Sequence, residues 1–163
     1  MVERNTSHLL LGGNLPETLE KFKATLLGLG AFGVVKTQSK IYTSEPWGYE
    51  SENEFKNQAL TFESELTPFE LLTKTQAIEK DLGRDKKQSK GYSDRVIDID
   101  ILFCANLILD SEKLTIPHPM LHLRVFTLEP LNEISPELIH PKLQKSIKQL
   151  LKDLGTHNNK AFN

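Results

Sequence analysis

An α+β sandwich is the fold class the sequence predicts, and three observations carry that expectation. Short apolar runs rich in strand-forming residues alternate with two stretches whose apolar side chains recur at helical spacing. Those helical stretches have their own start and stop residues. A length of 163 residues, 38% hydrophobic and 26% charged, suits one domain able to bury a core.

The elements follow in order. Residues 7–11 (SHLLL) form a short apolar strand ending at Gly12-Gly13-Asn14, and Pro16 opens a helix with Leu19, Phe22, Leu26 and Leu29 on one stripe. Gly28, Gly30 and Gly33 punctuate its end. They match a dinucleotide-binding pattern, but such a motif must follow a strand and open a helix, so their work here is capping and turning. Residues 34–46 have the β-branched content of one strand running into the Pro46-Trp47-Gly48 turn, and 49–54 are polar and loop-like. Residues 57–66 alternate as a strand, with Leu60, Phe62 and Ser64 on one face and Ala59, Thr61 and Glu63 on the other. Thr67-Pro68-Phe69-Glu70 reads as a capping box that starts a helix reaching about Leu82 and stopping at Gly83.

A basic loop leads to a strand at 96–104 (VIDIDILFC). Residues 107–109 and 114–119 follow as short strands, 121–128 as a weak helix, and Leu143, Ile147, Leu150 and Leu154 as the apolar stripe of a last helix closed by Gly155. The whole chain, 1–163, reads as one domain, with 156–163 a frayed tail. The order β-α-β-β-α-β, followed by additional C-terminal short strands and helices, is that of a ferredoxin-like sandwich.

Composition removes several function classes. Twenty Lys and Arg stand against 22 Asp and Glu, a net charge of −2, which gives no global basic field for duplex DNA or an anionic membrane. The single cysteine, Cys104, can form neither an internal disulfide nor a multi-cysteine zinc cage, and it closes an apolar strand as a buried residue would. The longest apolar stretch, 101–109, is broken by Asn106 and falls short of the ~20 residues a bilayer needs. These features predict a soluble cytoplasmic protein without a nucleic-acid or membrane partner.

The chemistry concentrates around two carboxylates. Strand periodicity puts Asp98 and Asp100 on one face, their Cα atoms ~7 Å apart, while Ile97, Ile99 and Ile101 face the core. Adjacent ionised carboxylates repel, and a hard cation relieves that repulsion; Mg²⁺ takes one or two protein carboxylates plus phosphate oxygens and water. From Lys80 to Arg95 lie six basic residues against three acids, so cations precede the carboxylates directly, the combination polyphosphate chemistry requires. Arg84 and Arg95 can each grip a phosphate through two parallel hydrogen bonds. No P-loop is present. His118 and His122 have the i, i+4 spacing of zinc ligands, but Pro119 interrupts it, and His118 is better read as a loop residue contacting phosphate or ribose, with Arg124 a second cation. Trp47, Phe55 and Asn57 suit a flat heterocycle, rings stacking and the amide pairing with a donor-acceptor edge.

Together these residues resemble the 6-hydroxymethyl-7,8-dihydropterin pyrophosphokinase family of folate biosynthesis. The marks are Leu11-Gly12-Gly13-Asn14, Tyr42 to Gly48, Phe55-Lys56-Asn57, Gln76 to Glu79 before Gly83-Arg84, Arg95-Val96-Ile97-Asp98-Ile99-Asp100-Ile101, and Leu114 to Pro119. The resemblance implies transfer of diphosphate from ATP, a co-substrate, to the pterin hydroxymethyl oxygen, releasing AMP, on a monomer with two Mg²⁺ ions held by Asp98 and Asp100. It implies a pterin site of Ser44, Glu45, Trp47, Phe55, Asn57 and Phe126. Its nucleotide site is Leu72, Gln76, Glu79, Arg84, Lys86, Arg95, Ile101, Lys113, Leu114, Thr115, His118 and Arg124, and its catalytic group is Arg84, Arg95, Asp98 and Asp100. Loops near Gly12, Trp47 and Lys86 to Tyr92 would be lids. The chain departs from the family pattern at Gly13, where Ser is usual, at Glu45, Lys86 and Pro119, and at Ser93-Asp94. Two rivals remain: an RNA- or ligand-binding module, which lacks the exposed sheet aromatics it would need, and a kinase transferring one phosphoryl group, which would release ADP.

Overall fold

The computed structural model describes residues 3–45, 53–83 and 94–158. Five strands make an antiparallel sheet: β1 (Asn5–Gly13), β2 (Gly33–Gln38), β3 (Tyr42–Ser44), β4 (Phe55–Ser64) and β5 (Asp98–Cys104). Their order is β2-β4-β1-β5, with β3 also paired to β4. Helix α1 (Thr18–Leu29) joins β1 to β2, and α2 (Pro68–Asp81) joins β4 to β5, so each strand-helix-strand unit brackets a strand of the other. A hairpin of β6 (Leu109–Asp110) and β7 (Thr115–Ile116), a 3-10 turn at Leu121–Leu123, and helices α3 (Val125–Ile134) and α4 (Ile147–Asn158) complete the described chain.

Both faces of the sheet are covered. Leu9, Leu11, Leu60, Phe62, Ile99 and Ile101 pack against Phe22 and Leu29 of α1 and Leu71 and Ile78 of α2. On the opposite face Leu10, Ala59, Leu102 and Phe103 pack with Leu128 and Leu131 of α3 and Ile147, Leu150 and Leu154 of α4. This explains why residues 9–11 lack a polar face, and why Ala59 and Leu60 are both fully buried: alternate residues enter two different cores. The capping box of α2 is present, Thr67 Oγ1 accepting from the Glu70 N–H and Glu70 Oε2 from the Thr67 N–H, and the chain turns at Gly83 with φ 101°. Cys104 is buried, which pushes its thiol pKa up.

Four expectations are corrected. The single strand over 34–46 is two, because Ser39 takes over the β4 edge between them: its hydroxyl accepts from the Ala59 N–H at 2.9 Å and donates to the Lys40 carbonyl at 2.7 Å. On α1, Leu19 is 42% exposed, while Thr18 and Thr25 are buried with hydroxyls bonded to main-chain carbonyls. The weak helix at 121–128 is a 3-10 turn followed by a helix to Ile134, held by Leu128 and Leu131 in the second core despite an internal Pro130. Leu143 lies outside the last helix, which passes Gly155 and continues to Asn158, so 156–158 are not tail.

The second core encloses a titratable pair. His8 is 7% exposed, its Nε2 lies 3.1 Å from Ser135 Oγ at the end of α3, and its Nδ1 is buried with no hydrogen-bond partner among the described residues. Phe103 stands edge-on to both His8 and His140, at 5.8 and 5.7 Å. Burial pushes the His8 pKa down to about 4 and lowers that of His140, so both are neutral at pH 7. A folded-state pKa below the unfolded value of about 6.5 means that His8's contribution is complete above pH ~6.5 and is lost as pH falls towards 4. Melting temperature is therefore expected to drop over that interval, and His8→Phe, which fills the same space without a proton site, to flatten the drop; an equal slope in both proteins would refute it.

Candidate active site

The turn after β1 organises the site. Asn14 pins the approach to β5 twice over: its Oδ1 accepts from the Arg95 N–H at 2.8 Å, and its own N–H donates to the Arg95 carbonyl at 2.9 Å. Its side-chain amide donates to Asp94 Oδ1 at 2.7 Å, and Asp94 Oδ2 accepts from Asn53 at 3.3 Å, so one carboxylate ties together the segments that lead into α1, β4 and β5. Gly13 is needed for this close approach, since a Cβ there would lie 2.6 Å from both Thr18 Oγ1 and the Val96 carbonyl oxygen. The Thr18 hydroxyl donates to that carbonyl at 2.9 Å and accepts from the Leu15 N–H at 3.1 Å. Threonine at 18 thus fills the space a serine at 13 would need.

Arg95, fixed by its backbone, places a guanidinium nitrogen 3.4 Å from Asp98. Asp98 and Asp100 are both half-buried on the sheet face opposite Ile99 and Ile101, as their spacing predicts, and pair across the ladder with Gly12 and Leu10. Past Asp100 the alternation breaks: the register shifts opposite His8 and Leu9, and Leu102 and Phe103 both enter the second core.

Asn57 lies opposite Gly12 on one side and Tyr42 on the other, which places it on the same sheet face as the carboxylates. A cleft opens there, lined by Leu10, Gly12, Ser44, Glu45, Phe55, Asn57, Arg95, Asp98, Asp100, Arg124 and Phe126. Asn57 is 3% exposed and its amide nitrogen reaches the Leu11 carbonyl at 3.5 Å. Asn57 Oδ1 and Ser44 Oγ are buried with no hydrogen-bond partner among the described residues. Unpaired buried acceptors are costly, and a ligand with matching donors would satisfy them. Arg124, 7% exposed, stacks its guanidinium 5.5 Å from the Phe126 ring centroid, putting a cation and an aromatic face on the wall across from Ser44.

The other predicted residues lie on α2, on β5 and around β7. Glu79 is buried on α2, with exposed Gln76 one turn and half-buried Leu72 two turns before it. Ile101 and Leu114 have side chains in the first core, Thr115 is on β7, and Lys113 is exposed beside it. His118 donates its backbone N–H to the Leu102 carbonyl, and its Nδ1 accepts from the Met120 N–H at 3.1 Å, which leaves the ring proton on Nε2. Burial first, then the Arg124 charge, pushes its pKa down to about 4, so at pH 7 it is a neutral donor. Trp47, Arg84 and Lys86 lie outside the described residues. Leu10 and Gly12 were not among the expected site residues: Leu10 sits in an unbroken apolar run, and only its alternation with Leu9 and Leu11 could have separated it from the first core.

A cation fits this donor set. Among the described residues no group of three or more His, Cys, Asp or Glu side chains could cage an ion, whereas two cleft-lining carboxylates beside arginines suit Mg²⁺ that takes its remaining ligands from phosphate and water. No helix of the described residues is long and apolar enough to cross a membrane.

The chain is similar to known proteins in sequence and in fold. The family model for 7,8-dihydro-6-hydroxymethylpterin-pyrophosphokinase matches residues 8–136. The chain is similar to proteins named 2-amino-4-hydroxy-6-hydroxymethyldihydropteridine pyrophosphokinase: 35% identical to that of Aquifex aeolicus over 88% of this chain and 89% of the other. The corresponding protein of Porphyromonas gingivalis is 41% identical over 83% and 93%, and that of Bacillus subtilis 38% over 82% and 80%. Among solved structures, Plasmodium falciparum HPPK-DHPS with pteroate superposes with a TM-score of 0.74 at 17% identity over 97% of this chain, a likeness of fold. The chain spans 44% of that longer protein.

Proposed function

The chain belongs to the 7,8-dihydro-6-hydroxymethylpterin-pyrophosphokinase family, and from that premise we propose how its own residues carry out the reaction. The enzyme is a pyrophosphokinase of folate biosynthesis: it transfers diphosphate from ATP to the hydroxymethyl oxygen of 6-hydroxymethyl-7,8-dihydropterin, releasing AMP. The observation that carries the assignment of parts is one cleft with two chemistries, an acidic end at Asp98 and Asp100 and an amide-and-aromatic end at Ser44, Phe55, Asn57 and Phe126.

At the second end, Asn57 Oδ1 and Ser44 Oγ receive N–H donors of the pterin edge while Phe55, Phe126 and Trp47 cover its ring faces, with Glu45 at the rim. At the first, Asp98 and Asp100 would hold two Mg²⁺ ions, which would supply charge neutralisation on the phosphate oxygens. Arg95 reaches the polyphosphate from beside Asp98, Arg84 and Lys86 from the preceding loop, and Arg124 from α3. His118 donates from Nε2 to a phosphate or ribose oxygen, and Gln76, Glu79, Leu72, Lys113, Thr115, Leu114 and the Ile101 main chain surround the nucleotide. The attacking alcohol and the β-phosphorus then meet between the two ends, where alignment and exclusion of water supply most of the acceleration. Sheet order and antiparallel pairing support the ferredoxin-like assignment. The chain acts as a single-domain cytoplasmic monomer.

The test is ³¹P NMR of the protein with ATP, Mg²⁺ and the pterin alcohol. AMP and a pterin diphosphate are expected in equal amounts. Accumulation of ADP would replace diphosphate transfer by transfer of a single phosphoryl group.

A further inference from the structure

Strand β3 is three residues long and, among the described strands, pairs only with β4, yet with Glu45 just beyond it, it supplies one wall of the cleft through Ser44. So short an edge strand holds its position weakly by its ladder. The facing wall, Arg124 and Phe126, belongs to the start of α3. One side chain near the end of α3 spans the two. Glu133 Oε1 accepts from the Tyr42 hydroxyl at 2.6 Å, and Glu133 Oε2 accepts from the Lys40 N–H at 3.0 Å, with Oε1 3.3 Å from the same N–H. The Tyr42 phenol, hydrogen-bonded to this carboxylate, is pushed up to about 12 and remains a donor throughout the working pH range. Tyr42 is also the ladder partner of Asn57, so the tie ends next to the amide whose Oδ1 lacks a partner.

We propose that Glu133 is a positioning residue for the pterin: by holding Lys40 and Tyr42 it fixes β3 against α3 and so sets the spacing between Ser44 and Phe126. The inference rests on the pterin occupying this end of the cleft. A flat ring gains from two walls only when their separation is held before it arrives, so loosening the tie costs affinity through the ordering of β3 on binding. Glu133 touches neither substrate nor metal in this arrangement, and ATP, at the other end, does not depend on it.

The experiment measures dissociation constants for 6-hydroxymethyl-7,8-dihydropterin and, separately, for a non-hydrolysable Mg·ATP analogue, with melting temperatures, in four proteins. These are the parent, Glu133→Ala, Glu133→Gln and Tyr42→Phe. Glu133→Ala is expected to weaken pterin binding roughly three- to tenfold, the range that the net contribution of an ordinary hydrogen bond corresponds to, with nucleotide binding unchanged. Tyr42→Phe should lose part of this. Glu133→Gln should restore part of it, because an amide oxygen at Oε1 still accepts from the Tyr42 hydroxyl while the amide nitrogen at Oε2 cannot accept from the Lys40 N–H. Unchanged pterin affinity in Glu133→Ala overturns the proposal, as does a loss shared equally by pterin and nucleotide or one that tracks melting temperature, either of which marks a merely structural bond. Failure of the parent to bind the pterin would instead overturn the reading of the cleft on which it rests.

Discussion

Replacing Asp98 with alanine is expected to lower kcat by at least about 10³-fold while leaving pterin affinity within about threefold. Asp98 stands at the acidic end of the cleft, on the same face as Asp100 and 3.4 Å from a guanidinium nitrogen of Arg95. Removing it takes away one of two carboxylates able to hold cations against the polyphosphate, together with one charged partner of Arg95. Arg95 and Arg124 remain to attract ATP, so nucleotide affinity should fall much less than turnover, and the chemical step should bear most of the loss. Asp98→Asn sharpens the test, for it keeps the shape and hydrogen bonding of the strand but removes the charge. It should be nearly as inactive as alanine. Turnover followed by ³¹P NMR, together with calorimetric binding of the pterin and of Mg·ATP, decides the matter: an active asparagine variant would mean that the carboxylate does not hold metal.

Why this pair was readable in advance, and much of its surroundings was not, follows from the range of the interactions. Asp98 and Asp100 are two apart on a strand, and the period of a strand is local, so a shared face follows from spacing alone. Thr67 to Glu70 is likewise a local capping signal, and α2 begins where it indicates. The division of residues 34–46 depends on Ser39 meeting Ala59, 20 residues away. Which apolar residues of β1 face the cleft depends on helices that cover both sides of the sheet, so Leu9, Leu10 and Leu11 look alike in sequence and differ only in the core each enters. The Glu133 to Tyr42 bond joins residues 91 apart and leaves no trace in either segment. Gly13 is a departure from the family pattern that becomes intelligible only once Thr18 is seen filling the space beside it.

Asn57→Leu is expected to lower kcat/KM for the pterin alcohol by about 10²- to 10³-fold, almost all of it in KM. Leucine keeps the branched shape and the number of side-chain heavy atoms, and the one hydrogen bond Asn57 is seen to donate, to the Leu11 carbonyl, is already long at 3.5 Å, so the fold should tolerate the exchange. What the variant loses is a buried carbonyl oxygen that has no partner among the described residues and, on the present reading, finds one in the pterin. The pterin edge must then enter a dry pocket with its donors unpaired, at about 1–3 kcal/mol for each. Because the pterin ring does not change charge or bonding in the transition state, ground state and transition state lose this interaction equally, and kcat should stay within a few-fold of the parent. The Asp98 and Asn57 substitutions therefore divide the kinetics in opposite ways, one acting on kcat and the other on KM, although both side chains line a single cleft. A fall in kcat for Asn57→Leu as large as that for Asp98→Ala would mean that Asn57 acts at the reacting atoms, and would move the pterin hydroxymethyl group from the carboxylate end of the cleft to the β4 side.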